Sequence, residues 1–428
     1  MIGIIGGGIT GLTLASLVKD TVVLEKGSGL GGLARSIKER GYTFDQGSHI
    51  IFSGNNEVLS FFLSLLGKNV IKHKRNSKIL YNGRLVKYPF ENGLNELPAG
   101  ERLRFATDYL LAPKKQGNVK NFKEWMYCRF GKSITEKYLY PYNVKIWDYP
   151  PEKMDTFWVE GRIPQPAMSD IVKSVFGMGS EGYKHQLDFY YPEKGGYGAV
   201  IDSLANKIEK HRISTGFEVD SVKKERDGWY VKSKKKEKFY KRIVSTIHVK
   251  DFIESYAGAD SEVKNAAESL KWNSIHLVMF GLKRKKVNNI HWCYVPDEEV
   301  LTNRVSFPSN YSPFVAPKNH SSVLAEITFR PGGKKSKLKN EEIIQRTADE
   351  LHGLKLIDKN DIVFTKIVTC PYAYVIYDLG YKQNISKIHD FAEREGVHLL
   401  GRFSEFRYMN ADKCVEHAVA KSDFFNRF

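Results

Sequence analysis

The sequence predicts an α/β protein in three parts: a domain wound around a parallel sheet, a mainly helical insertion, and a second domain with a largely antiparallel sheet. Three observations predict it. A strand, a Gly-rich turn and a helix follow one another within residues 1–18, apolar residues at helical spacing dominate residues 55–140, and strand-like runs recur from His276 to Phe329. The chain has 428 residues, 42% of them hydrophobic, and at about 150 residues per domain it can build two or three cores. Such a chain is neither disordered nor fibrous.

In order, Met1–Ile5 reads as a strand, Leu12–Val18 as a helix, Thr21–Glu25 as a second strand and Gly27–Gly32 as a second Gly-rich loop, the opening of a βαβ unit. Val58, Leu59, Phe61, Phe62, Leu65 and Leu66 keep a helical period, which a Pro- and Gly-bearing stretch from Asn82 to Gly100 breaks. Phe189-Tyr190-Tyr191, a Gly195-Gly196 turn, a helix to Lys210, a strand at Glu218–Val222, a hairpin at Asp227-Gly228 and a strand at Ile243–Thr246 return the chain to the first domain. Strands at His276–Leu282, His291–Val295 and Ser322–Phe329, with a helix at Glu341–Leu351, make the second sheet. Val397–Leu400 and a helix after Asp412 close the chain. The expected domains are residues 1–54, 190–250 and 396–428 for the first, 55–189 for the helical insertion, and 251–395 for the antiparallel sheet.

Lys plus Arg (66) exceeds Asp plus Glu (49), a net charge of +17 that attracts polyanions and phosphorylated substrates. The basic runs Lys223–Arg242, Lys283–Lys286 and Lys334–Lys339 flank predicted turns without aromatic interleaving or a reader motif, so no nucleic-acid partner is expected. Cys128, Cys293, Cys370 and Cys414 lie far apart with no C-x-x-C pair, which argues against a disulfide framework or zinc cluster; no metal is expected. No window approaches about 18 uninterrupted apolar residues, and the first strand begins without a charged leader. The expectation is a cytoplasmic protein without membrane insertion, its homo-oligomeric state left open.

Gly6-Gly7-Gly8-Ile9-Thr10-Gly11 is G-x-G-x-x-G between a strand and a helix, with Glu25 nineteen residues after Gly6. Gly6 permits the tight turn, Gly8 lets backbone N–H groups reach a pyrophosphate at the helix N-terminus, Gly11 allows close helix–strand packing, and Glu25 can accept from ribose hydroxyls. The domain is therefore Rossmann-like. Gly31, Gly32 and Arg35 stand in the next loop, where flavoproteins of the glutathione-reductase type carry a second pyrophosphate-contacting Gly-Gly and an Arg, which favours FAD over NAD. Hydrolase and kinase signatures are absent: Met126 stands where a P-loop ending in Gly131-Lys132-Ser133 needs Gly, and there is no H-E-x-x-H or G-x-S-x-G. The chemistry must come from the cofactor.

Six further segments run in order: Phe44-Asp45-Gln46-Gly47-Ser48-His49-Ile50-Ile51-Phe52-Ser53, Val86-Lys87-Tyr88-Pro89-Phe90-Glu91-Asn92, Pro141-Tyr142-Asn143-Val144-Lys145-Ile146-Trp147, Gly161-Arg162-Ile163, Ser309-Asn310-Tyr311-Ser312-Pro313 and Gly401-Arg402-Phe403-Ser404-Glu405-Phe406-Arg407-Tyr408. Together they resemble the UDP-galactopyranose mutase family, closest to its eukaryotic-type branch, within the amine oxidase and protoporphyrinogen oxidase superfamily. The resemblance implies a nucleotide-sugar substrate, a role in surface-glycan synthesis and an isomerase in which reduced FAD attacks the anomeric carbon. UDP-galactopyranose and its furanose form then interconvert without net redox change, NAD(P)H being the candidate reductant. The other reading is an FAD oxidase or dehydrogenase of the same superfamily.

By this resemblance Arg162 and Arg304 clamp the diphosphate, with Tyr294, Tyr374 and Tyr408 beside it; Arg presents a fixed fork of donors suited to phosphate oxygens. Asn143 and Trp147 stand near the sugar, His49 at the flavin edge, Tyr88 and Phe90 at the base. Arg402 and Val219 touch FAD, and Asn410 the sugar end. Three positions depart from the family pattern: Ser48 replaces a glycine, Glu91 replaces a glutamine, and Tyr374-Val375-Ile376-Tyr377-Asp378 replaces Y-P-T-P-T. These departures bear on sugar and base identity.

Overall fold

The computed structural model describes residues 1–114, 119–159, 162–163, 166–178, 187–234 and 236–427. The opening unit forms as its sequence dictates: β1 (Ile2–Ile5) and β2 (Thr21–Leu24) are buried throughout, with α1 (Ile9–Leu17) between them. This helix starts three residues before the expected one, directly after Gly8, whose carbonyl accepts from Leu12 N–H at 3.0 Å. A five-stranded parallel sheet places His398–Leu399, Arg242–Ser245, β1, β2 and Ile213–Ser214 side by side. The helices α1, Gly198–Asn206 and Ala411–Phe425 pack together, while Tyr240 from a three-stranded antiparallel sheet lies against Gly3.

Of the strand expected at Glu218–Val222 only Ser221 and Val222 lie in one, and the strand that joins the parallel sheet stands earlier. Ile213–Ser214 completes the parallel sheet, Gly216 turns the chain at φ 65°, and Ser221–Glu225 begins the antiparallel one. The hairpin at Asp227-Gly228 forms, with Glu225 opposite Gly228.

A seven-stranded sheet runs in the order Ile362–Ile376, Lys271–Leu282, Ser321–Phe329, Arg304–Ser306, Trp292–Tyr294, Ser77–Tyr81 and Arg84–Lys87. Its pairs are antiparallel except Trp292–Tyr294 with Ser77–Tyr81. The stretch from Asn82 is thus a hairpin between two sheet strands and not a break between helices: Asn82 and Gly83 both take positive φ, the signature of a tight two-residue turn. Helix Tyr140–Trp147 packs on the strand Ser321–Phe329, and helix Ala99–Leu111 packs against Phe122–Ile134 and Met168–Val175. Among the described residues no helix is long and apolar enough to cross a membrane, and no group of three or more His, Cys, Asp or Glu could hold a metal ion.

Candidate functional site

Two Gly-rich loops meet at the end of β1. Gly31 N–H donates to Gly7 O at 2.7 Å, and the Glu25 carboxylate takes one N–H from each loop, Gly7 at 2.8 Å and Gly27 at 2.7 Å. Glu25 therefore clamps the loops together. A Cβ on Gly11 would lie 2.2 Å from Gly6 O, so this position admits only glycine. A Cβ on Gly8 would meet nothing within 4 Å. That contrast marks Gly8 as the open floor of a cradle and Gly11 as its packed support. Gly6, Gly31 and Gly32 all take positive φ. Arg35 pairs with the Gln46 amide oxygen when the amide nitrogen donates to Gly32 O. Val219 is half-buried just beyond Phe217, whose N–H donates to Glu25 O.

His49 follows Gly47, which takes φ 111°. Its ring lies 5.1 Å from the Tyr197 ring, and its Nδ1 is buried without a hydrogen-bond partner. Burial first, then the positive charges of Arg304 and Arg402, holds the imidazole down to about 4, so it is neutral at pH 7. Arg402 Nε is likewise buried and unpartnered, although its other nitrogens donate to the carbonyls of Met409 and Ala373. Open space at Gly8 and two orphaned polar atoms, one neutral and one cationic, fit a polar dinucleotide cofactor.

The substrate side is built from side chains. Tyr374 and Tyr408 stack at 5.5 Å and 12°, Arg402 lies over both rings, and Arg162 lies over Tyr408 at 4.3 Å. Arg162 also donates to Tyr408 O and is exposed; Gly161 before it lies outside the described residues. Trp147 meets Tyr374 and Tyr408 edge-on, held by the Asn143 carbonyl through its Nε1 at 3.0 Å. The Asn143 amine is spent on Leu139 O, so in this structure Asn143 orients Trp147.

Arg304 and Tyr294 face each other across neighbouring strands, and Arg304 faces Glu326 across the next pair. This row explains a bidentate ion pair, Arg304 Nε to Glu326 Oε2 at 2.9 Å and Nη2 to Oε1 at 2.7 Å, with the carboxylate fully buried. Tyr294 continues to Tyr88 at 5.1 Å and Tyr142 at 5.5 Å. Two expected residues stand apart. Phe90 is fully buried against Tyr138, and Asn410 is exposed at the start of the last helix. Sequence reasoning missed Glu326, although it is the single charged residue of the all-buried strand Ser321–Phe329.

A family model described as flavin containing amine oxidoreductase matches residues 9–377. The fold is similar to that of reduced UDP-galactopyranose mutase, with TM-score 0.92 and 24% identity over 100% of this chain and 93% of that one. It is also similar to a protein from Exiguobacterium sp. 255-15 proposed to be a protoporphyrinogen oxidase, at 0.77 and 17% over 100% and 99%. A CLA-producing fatty acid isomerase from P. acnes matches at 0.65 and 15% over 100% and 98%. Identities this low carry the fold, a mixed α/β architecture with parallel and antiparallel sheets.

Proposed function

We propose that this chain, which belongs to the flavin containing amine oxidoreductase family, is an FAD-dependent nucleotide-sugar mutase interconverting UDP-galactopyranose, or a related nucleotide sugar, with its furanose form. Membership implies a flavin; the Glu25-clamped glycine cradle supports FAD as its form. One observation carries the reading: Arg162 and Arg304 lie on one aromatic cluster, Arg162 exposed over Tyr408 and Arg304 in the field of Tyr374 and Tyr294. Oxidation of an amine or a porphyrinogen needs no such pair of cations. The likeness to reduced UDP-galactopyranose mutase supports the same reading.

Reduced FAD, when bound, supplies the nucleophile for the anomeric carbon. The chain's residues hold the substrate against it. Arg162 and Arg304 take the diphosphate, which stays bound as the leaving group. Tyr294 stands beside the diphosphate, and Tyr88, packed on the Tyr294 ring, stands toward the base. Trp147, fixed by Asn143, and the Tyr374–Tyr408 stack wall the sugar from water. His49 stays neutral and so places no cation beside the flavin edge.

The test is electron bookkeeping. Dithionite-reduced protein incubated with a panel of UDP- and dTDP-pyranoses and furanoses should interconvert one pair over many turnovers, without stoichiometric reductant and without oxygen uptake. Turnover that starts from oxidised flavin and forms peroxide stoichiometrically would instead establish the oxidase reading, which the family match and the Exiguobacterium likeness favour.

A further inference from the structure

The segment Gln46–His49 carries a tether that the activity does not require. Ser48 N–H donates to Glu326 Oε1 at 2.9 Å, and Ser48 Oγ lies 2.8 Å from Tyr311 Oη. Tyr311 has one hydroxyl proton and donates it to His291 O at 3.1 Å. The Ser48 hydroxyl must therefore be the donor to Tyr311. The first bond joins this loop to a strand of the seven-stranded sheet, 278 residues away in sequence, and the second joins it to the connection between two strands of that sheet, 263 residues away.

We infer that Ser48 is a positioning residue that hangs His49 and Arg304 from one buried carboxylate, so that the flavin-side ring and the anion-side guanidinium hold a fixed relation. Glu326 is fully buried and receives Ser48 N–H on the oxygen that Arg304 Nη2 also reaches. Any displacement of Arg304 is passed through Glu326 to the backbone amide beside His49. Tyr311, itself anchored on His291 O, fixes the second point, and two points set a loop's orientation where one would let it swing. At this position the resemblance has glycine, which could form the amide bond but not the hydroxyl bond. The inference concerns the geometry of the chain alone; only its consequence, that a diphosphate held by Arg304 is felt at the flavin edge, rests on the proposed function.

The charged and titratable groups facing His49 are Arg304 and Arg402, with Tyr197 against its ring and Tyr311 and Glu326 behind Ser48. Burial and the two arginines keep its imidazole neutral down to about 4. Releasing the loop would let water reach the ring and move it from the cations, and both changes raise its affinity for protons.

The experiment is histidine-selective 15N NMR of the flavin-loaded protein between pH 8 and pH 5. In the wild-type chain His49 should show no titration in that range. In Ser48→Gly and in Tyr311→Phe it should titrate inside the range, a gain in proton affinity of about tenfold or more. Ser48→Thr, which keeps the hydroxyl, should restore the silent behaviour, and the double variant should shift no further than the larger single one. A purely structural role would lower the melting temperature without moving this titration. If His49 stays as silent in both single variants as in the wild type, the tether is refuted. Because no nucleotide sugar is added, failure here and failure of sugar interconversion are separate results.

Discussion

The two halves of the site are held by opposite means. On the cofactor side the decisive feature is missing atoms: Gly8 leaves open space, Gly11 leaves room for Gly6 O, and one carboxylate, Glu25, draws two loops together through backbone amides. On the substrate side the decisive feature is side chains drawn from distant segments, with one guanidinium paired at a buried carboxylate and another exposed over a ring. A backbone cradle fails when something is added. A side-chain cluster fails when something is removed, most severely where a buried charge loses its partner.

That difference is sharpest between the two arginines. Arg304→Ala should cost about 3–5 kcal/mol of stability, because it leaves Glu326 buried and ionised without its partner. Arg162→Ala removes an exposed side chain that lies over Tyr408 and should cost only about 0.5–1 kcal/mol of stability. Both should weaken UDP binding while flavin content in the folded fraction stays normal. Denaturant unfolding and UDP titration check the pair. Equal stability losses would mean that the buried Glu326 does not depend on Arg304 for its charge balance, and normal UDP affinity in both variants would remove the nucleotide-sugar reading.

The cofactor side should give a smaller split of the reverse kind. Gly11→Ala places a methyl 2.2 Å from a backbone oxygen and should cost about 3 kcal/mol, the upper end for overpacking, and lose flavin with it. Gly8→Ala meets nothing within 4 Å, so the flavin-free protein should melt as wild type does. Its methyl fills the cradle, and flavin absorbance after reconstitution should fall. If Gly8→Ala retains full flavin, Gly8 does not floor the dinucleotide site.

The same contrast governs what could be read in the sequence. The opening β1–α1–β2 unit was legible because steric demands at Gly6, Gly8 and Gly11 have a fixed spacing. The second sheet was legible only in its buried strands. Ile362–Ile376, fifteen residues on the sheet edge, was not anticipated, because an edge strand keeps polar residues such as Thr365, Lys366 and Thr369 that blur the apolar run. Asn82-Gly83 has the composition of a helix break, yet it is the hairpin turn that brings Ser77–Tyr81 into the sheet beside Tyr294. On the substrate side, residue identity pointed to Arg304 but not to Glu326, since cross-strand register cannot be counted along the chain.

The last comparison is between two buried carboxylates, Glu326 at the site and Glu91 in the turn Phe90–Glu96. Glu326 has Arg304, whereas the Glu91 carboxylate accepts from its own backbone amide and pairs with no cation among the described residues, and burial pushes its carboxyl up to about 7. Between about pH 4.5 and pH 7 the folded chain therefore keeps a proton that the unfolded chain has released. Stability from this group is present at the acid end, falls as pH rises through that window, and is flat above it. Glu91→Gln has nearly the same shape and no proton to lose. Its stability relative to wild type should therefore improve steadily from about pH 4.5 to pH 7, by about 3 kcal/mol across that window, and change no further by pH 8. The measurement is the difference between the two unfolding free energies against pH. A difference that does not change with pH would mean that the Glu91 carboxylate is stabilised in place, and that the two carboxylates are not held in opposite ways.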